Sequence, residues 1–404
     1  MSRVVITGLG PISAVGAGKE NFFKGLGEWH SGITEIDSFD TVPYGSRLAA
    51  VVGDFRVEDF VKSPKTYLDR CTAFALASAG LAAADAGLKA PEAAGVSAGL
   101  AVGTAFGSLE TAGLFFRDLV RKGPRLVKPF LFPHAYSNTS ASLTAMEYGL
   151  KGPHMNFASG AVSGGHALSW SADLISRGRV TVMFAAGCDS LNEILFAGYA
   201  LSGRLSPGSG GEEICAPFDR NANGMILGEG AATVILEERQ HALRRKTHLY
   251  GEIRGVGMSG AAGNGELPER AIVEAMQSAV ERSGISASDI DYICASAPGC
   301  PSADAAEAGA MESFLAEAGG RVPVSSIKAA VGETLGASAL MQVCAAAGVL
   351  ETGRVPPSLN LKNPVETDSL ELFGPKELEK PARNVLINCV DEGGSAVCIV
   401  MGAV

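Results

Sequence analysis

The chain has 404 residues, 47% of them hydrophobic, and a formal net charge of -10. That length holds one large double-cored unit or two to three domains, and the acidic balance argues against a general nucleic-acid binder, which carries a basic excess. No apolar run approaches the ~20 residues that span a bilayer, and residues 1–10 show no basic stretch ahead of a long apolar core, so no membrane role and a cytoplasmic setting are expected.

In chain order, residues 3–8 (Arg3-Val4-Val5-Ile6-Thr7-Gly8) read as a buried strand ending in a Gly-rich turn. Gly8, Gly10, Gly16 and Gly18 suggest a nucleotide loop, but the spacing is not GxGxxG and Pro11 interrupts it, so no cofactor is expected. Residues 71–88 form a small-residue helix, and 100–103 and 155–157 are short buried strands, the second running into the small residues 158–165. A helix over 167–178 ends in Arg177-Gly178. Strands follow at 180–186 and 231–237, then a charged helix around 238–245.

A second pass begins with a strand at 249–257 and an amphipathic helix at 269–283. It continues with a strand at 291–295, a helix at 302–318 and a strand at 322–325. After a Gly-punctuated turn come an apolar helix over 335–350 and strands at 384–389 and 396–400. The two halves, 1–248 and 249–404, echo each other in topology without repeating in sequence. That fits a duplicated α/β architecture, with mixed sheets between helix layers. None of the eight cysteines forms a CxxC pair, so no metal is expected. Cys344 and Cys398 sit in apolar runs and read as small buried hydrophobes, reduced in the cytoplasm.

Several phrases then stand in collinear order along the whole chain. They are Val4-Val5-Ile6-Thr7-Gly8-Leu9-Gly10, Pro129-Phe130, Gly149-Leu150-Lys151-Gly152-Pro153 and Gly203-Arg204-Leu205-Ser206-Pro207. Further on come Pro217-Phe218-Asp219-Arg220-Asn221-Ala222-Asn223-Gly224, Leu227-Gly228-Glu229-Gly230-Ala231 and Val355-Pro356-Pro357-Ser358-Leu359-Asn360-Leu361. In these the chain resembles the β-ketoacyl synthases, in particular the elongating type that acts on acyl carrier protein. The resemblance implies a thiolase fold, a duplicated five-layer αβαβα architecture of two fused halves, and an obligate dimer.

The family's chemistry needs a Cys at a helix N-terminus as nucleophile and two His residues that polarise the malonyl thioester and stabilise its enolate. The nucleophile motif aligns on Ser159-Gly160-Ala161-Val162-Ser163-Gly164-Gly165-His166, with the Cys position at Ala161. The first His motif aligns through Pro301, Asp304 and Glu307, with its His at Ser296. The second aligns on Lys328-Ala329-Ala330-Val331-Gly332-Glu333, with its His at Glu333. The gating loop is Asn388-Cys389-Val390-Asp391-Glu392-Gly393-Gly394, with its Phe replaced by Glu392 ahead of Gly393 and Gly394.

Four replaced motifs point to natural loss of the catalytic set. Lys328 is retained, and a buried Lys needs a carboxylate; the family partner falls on Glu307, so a Lys328–Glu307 ion pair is expected. Glu333, Glu392 and Asp391 bring carboxylates to the vacant pocket, where they are expected to bond backbone amides and Lys328 rather than a cation. Ser163 and His166 lie one helical turn apart with no acid or oxyanion pattern beside them, and His166 matches a non-catalytic family position.

Phe106 matches a position where smaller apolar residues line the end of the partner's acyl tunnel. Leu109, Ala112 and Phe116 follow at i, i+3 and i+7, and Leu131 and Phe132 belong to the same region. Ordinary interface packing and a chain-length gate both fit. Arg117, Arg121, Lys122, Arg125 and Lys128 form a basic cluster in an acidic chain, either a solvated face or a patch for acyl carrier protein. The resemblance thus implies a chain-length-factor-like subunit of a type II polyketide or polyene synthase. Its partners would be an active ketosynthase, acyl carrier protein and the growing acyl chain. The rival is an independent homodimeric acyltransferase or malonyl decarboxylase using Ser163, Glu333 or Cys389; a scaffold that only docks carrier protein is a third option.

Overall fold

A strand buried on both faces needs a layer on each side, and β1 (Val4–Ser13) is buried at every residue. The computed structural model describes residues 2–61, 63, 66–88, 98–207, 211–261, 269–376 and 378–404. Short β2 (Gly16–Ala17) folds back on β1, and β3 (Ile33–Glu35) pairs with β4 (Leu48–Ala50) in a separate ribbon. The first half-sheet contains β5 (Gly99–Thr104), β6 (His154–Ala158), β7 (Val182–Asp189) and β8 (Gly230–Glu238). β5 runs parallel to β6 and β7, while β8 is antiparallel to both β7 and β1.

The second half repeats this order. It holds β9 (Gly251–Gly260), β10 (Tyr292–Cys294), β11 (Val322–Ser325), β12 (Leu370–Leu372), β13 (Asn384–Asp391) and β14 (Ser395–Gly402). β10 runs parallel to β11 and β13, and β14 is antiparallel to β13 and β9. β12 extends the edge beside β11. Pairing of β1 with β9, Val4 opposite Ile253, joins the halves into one sheet of 12 strands.

The helices are α1 (Lys19–Gly27), α2 (Arg70–Asp85), α3 (Leu109–Lys122), α4 (Thr139–Glu147), α5 (Ser163–Ser176), α6 (Glu193–Leu201) and α7 (Arg239–Arg245) in the first half. The second half has α8 (Glu269–Ser283), α9 (Pro301–Leu315), α10 (Lys328–Val331) and α11 (Ser338–Thr352). α5 and α11 pack on each other and on strands of both half-sheets, while α2 covers β1 and β8 and α8 covers β9 and β14. That is a five-layer thiolase-type arrangement with a mixed sheet.

The duplication reaches individual glycines. A Cβ at Gly10 on β1 would stand 2.1 Å from the Ser78 carbonyl oxygen of α2, and one at Gly257 on β9 would stand 2.0 Å from that of Ala275 in α8. Gly8 and Gly255 repeat the contact one turn further along each helix. Of the glycines that look like a nucleotide loop, Gly8 and Gly10 are therefore close-approach positions for a covering helix, while Gly16 and Gly18 take positive φ values of +143° and +80°. α5 starts four residues before its expected position at 167, because Gly164 is drawn against the Gly336 carbonyl, 2.6 Å from where its Cβ would stand. Among the described residues, one helix, Leu335–Thr352, is long and apolar enough to cross a membrane by composition, and 78% of it is buried inside the protein as the central core helix.

Candidate functional site

At the end of β6 the chain turns on Gly160, whose φ is +68°, passes through a tight turn at Gly160–Val162 and enters α5. This presents residue 161 at the N-terminal end of a buried helix, where unpaired N–H groups and the helix dipole favour an anion such as a thiolate. The side chain there is the methyl of Ala161. Its N–H donates to Asp391 Oδ1 at 2.8 Å, and Asp391 Oδ2 accepts from the Gly393 N–H at 2.8 Å. A Cβ on Gly160 would lie 2.0 Å from Asp391 Oδ1, so the carboxylate's approach depends on that glycine.

Ser296 follows β10. Its hydroxyl accepts from the Val390 N–H at 3.2 Å, and its own N–H donates to Glu307 at 2.8 Å. Glu307 takes a second bond from the Ala297 N–H at 2.7 Å. Burial pushes the Glu307 carboxyl up to about 7, with the Ser296 and Ala297 N–H groups and Lys328 pulling the other way. On the same helix, burial pushes Asp304 up to about 8, although it accepts from Phe218 and Gly299.

The expected Lys328–Glu307 pair is not what forms. Lys328 Nζ lies 2.6 Å from Glu333 Oε2 and donates to Ser338 Oγ at 2.8 Å. Glu333 Oε1 accepts from the Leu335 N–H at 2.7 Å and the Ser338 hydroxyl at 2.5 Å. The physical reason is proximity. The carboxylate at the second His position sits five residues from Lys328 on the same α10–α11 connection and captures the ammonium, while Glu307 is already occupied by two backbone donors.

Ala161, Ser296, Glu307 and Glu333 line one cavity of about 40 Å³ together with Tyr199, Met225, Asp391 and Glu392. That is room for about one or two waters. Ala161, Ser296 and Glu333 are thus brought together in one cavity. At the mouth, Glu392 pairs with Arg204 at 3.0 Å; burial raises its carboxyl and Arg204 opposes the rise. Gly394 takes a φ of +91° in the turn that follows.

The side chains named for the rival chemistry are tied up. Ser163 Oγ donates to the carbonyls of Thr104 (2.9 Å) and Gly160 (2.7 Å), and His166 Nδ1 bonds Ser159 Oγ at 2.7 Å rather than Ser163. Cys389 is fully buried against the Ala161 carbonyl, and burial pushes its thiol well up. Among the described residues no cluster of His, Cys, Asp or Glu could hold a metal.

A family model described as the β-ketoacyl synthase N-terminal domain matches residues 1–242, and one described as the β-ketoacyl synthase C-terminal domain matches residues 250–362. The chain belongs to the β-ketoacyl synthase family. A 3-oxoacyl-[acyl-carrier-protein] synthase 2 of Rhizobium meliloti (strain 1021) is 32% identical over 421 residues, covering 99% of each chain. Among solved structures, the ishigamide ketosynthase/chain length factor superposes with a TM-score of 0.92 at 26% identity, covering 100% of this chain and 99% of that one. A type II polyketide synthase acyl carrier protein in complex with its ketosynthase gives a TM-score of 0.89 at 26% identity, with 100% of both chains covered.

Against this β-ketoacyl synthase frame, Phe106 lies on the turn between β5 and α3, 42% exposed, its ring 6.3 Å from that of the cavity-lining Tyr199. The buried face of α3 runs through Thr111 and Phe115. Of the expected stripe, Leu109 and Ala112 are half-buried, whereas Phe116 points outward. Phe132 packs on Phe115 at 5.5 Å and on Tyr136 at 5.0 Å, with Leu131 half-buried beside it. Arg121, Lys122, Arg125 and Lys128 are all exposed, and the carboxyl of Asp118 is lowered first by Lys122, with Lys128 and Arg117 adding to it.

Asp189, at the buried end of β7, belongs to none of the aligned motifs. Its carboxylate accepts from the N–H groups of Ala105 (2.6 Å), Phe106 (3.0 Å), Gly107 (2.9 Å) and Gly336 (2.9 Å). Burial pushes it up to about 6 against those four bonds. An acidic residue closing an apolar strand was the available signal, since it must meet donors to be buried.

Proposed function

We propose that this chain is the non-catalytic, chain-length-factor-like subunit of a heterodimer whose other member is an active ketosynthase. The carrying observation is the cavity. The positions that should hold a Cys and two His residues line one space, and they hold a methyl, a hydroxyl and a carboxylate already paired with Lys328. The space left between these positions is about 40 Å³, room for about one or two waters. The partner would supply the nucleophile and both imidazoles, and this chain would shape the acyl tunnel around Phe106.

The surface supports an assembled state. Leu114, Phe116, Val120, Phe130, Phe132 and Tyr136 are all exposed on α3 and the segment after it, and clustered exposed apolar side chains mark interaction surfaces. The edge strand β6 is also open, with Met155 exposed and its backbone donors available for pairing. Arg121, Lys122, Arg125 and Lys128 fit an acidic carrier protein. All eight cysteines are buried free thiols, which suits the cytoplasm. The independent-enzyme reading finds Ser163, Glu333 and Cys389 each bonded within the fold.

The test is co-expression with a ketosynthase that retains Cys and both His residues, followed by native mass and an elongation assay with carrier-bound malonate. A 1:1 complex whose product length shifts on Phe106→Ala is the expected result. Condensation by this chain alone, or a homodimer indifferent to the partner, overturns the proposal.

A further inference from the structure

The turn that carries Phe106 has no regular structure of its own to fix it, yet its backbone is over-determined. Three successive N–H groups, from Ala105 to Gly107, converge on one carboxylate, that of Asp189. The next residue, Ser108, donates its hydroxyl to Asp69, the buried cap of α2, at 3.0 Å. Asp189 also takes the Gly336 N–H from the other half of the molecule, in the turn that begins at Glu333 and leads into α11. Side chains are nearly excluded from this junction. A Cβ on Gly336 would meet Asp189 Oδ2 at 2.7 Å and Thr104 Cα at 2.7 Å, and one on Gly187 would meet the Gly336 carbonyl at 2.3 Å. Elements packed to backbone contact move together rather than independently.

We propose that Asp189 is the positioning residue for Phe106. Its carboxylate locks the 105–107 turn to the Gly336 turn of the opposite half, and so fixes how far the Phe106 ring projects toward Tyr199 and the face where the partner's acyl chain ends. This rests on the chain-length reading above. Asp189 touches no substrate in this scheme and acts only through the turn. A neutral amide keeps one accepting oxygen but turns an NH2 group on N–H donors, so Asp189→Asn breaks one side of the clamp while preserving volume.

The experiment uses the heterodimer with the active ketosynthase and two readouts, amide hydrogen exchange by mass spectrometry and product length. Loss of a charge-assisted bond to buried N–H groups predicts exchange at 105–107 and at 336 rising together by about tenfold in Asp189→Asn. The product distribution shifts as it does in Phe106→Ala, and the double variant matches Phe106→Ala alone. Gly336→Ala, which pushes the carboxylate from the opposite side, gives the same joint exchange pattern and covers the case in which Asp189→Asn does not fold. If Phe106→Ala shifts the product but a folded Asp189→Asn does not, or if the two segments exchange independently, the positioning role is wrong. If Phe106→Ala itself leaves product length unchanged, the chain-length reading fails, and the exchange data decide the clamp on their own.

Discussion

Among the described residues Glu333 is the one carboxylate within ion-pair distance of Lys328, which is 1% exposed and whose Nζ otherwise bonds Ser338, so replacing Glu333 with Leu strips a buried ammonium of its counter-charge. Stripping one partner from a buried pair costs about 3–5 kcal/mol, and the orphaned Leu335 N–H adds about 1–3 kcal/mol. At about 2.1 cal/mol/K per residue, 404 residues give an unfolding entropy of roughly 0.85 kcal/mol/K. A loss of about 5 kcal/mol then lowers Tm by about 6 °C. Lys328→Met alone leaves the Glu333 charge with two donors and lowers Tm by about 4 °C. The double variant Lys328→Met/Glu333→Leu removes both charges and recovers about 3 kcal/mol of the summed loss, because a buried pair is replaceable by apolar groups of similar volume. Differential scanning calorimetry on the four proteins completes the cycle. Additive losses in the double variant, or a Glu333→Leu protein as stable as the parent, would refute the claim that this pair holds the vacated site closed.

Restoring the nucleophile alone is expected to restore nothing. Ala161→Cys should show no condensation and slow alkylation by iodoacetamide at pH 7, because the Asp391 carboxylate occupies the 161 N–H and opposes a thiolate; rapid alkylation at neutral pH counts against this. A pH series tests Glu307 and Asp304. Their folded-state pKa values, about 7 and about 8, lie above the ordinary carboxylate values. The folded state therefore holds extra protons, and their stabilisation is full below about pH 4 and lost as pH rises through 7–8. Each contributes a fall of up to about 1.4 kcal/mol per pH unit within that window. Glu307→Gln should flatten the decline of Tm between pH 5 and pH 8, and an unchanged slope would show that Glu307 is ionised throughout.

Much of the fold was readable because its strands are apolar, short and bounded by glycine. The strand at Val322–Ser325 is where the apolar run places it, and the helix expected over 269–283 is Glu269–Ser283. The helix α6 escaped because Glu193–Leu201 is apolar nearly throughout and shows no period, its exposed Ile194 and Leu201 included. The start of α5 escaped because Gly164 and Gly165 disfavour helix locally and are held there by tertiary contact. At the site, motif alignment located Ala161, Ser296 and Glu333, yet the partner of Lys328 was mis-assigned. Two carboxylates competed for one ammonium, and only the path of the backbone shows that Glu307 is spent on the Ser296 and Ala297 N–H groups.

The replacements at the site depend on one another. Glu333 is tolerable in a buried cavity because Lys328 answers it, and Lys328 is tolerable because Glu333 does. Asp391 can reach the N-terminus of α5 because residue 160 is a glycine and residue 161 carries only a methyl. A thiolate at 161 would face that carboxylate, and an imidazolium at 333 would face Lys328 with no acid between them. Reverting position 161 or position 333 alone therefore meets charge repulsion from its neighbours. A pocket closed by mutually dependent ion pairs and hydrogen bonds is a packed structural element, and the proposed subunit role accordingly rests on the outer surface, the Phe106 turn and the apolar face of α3.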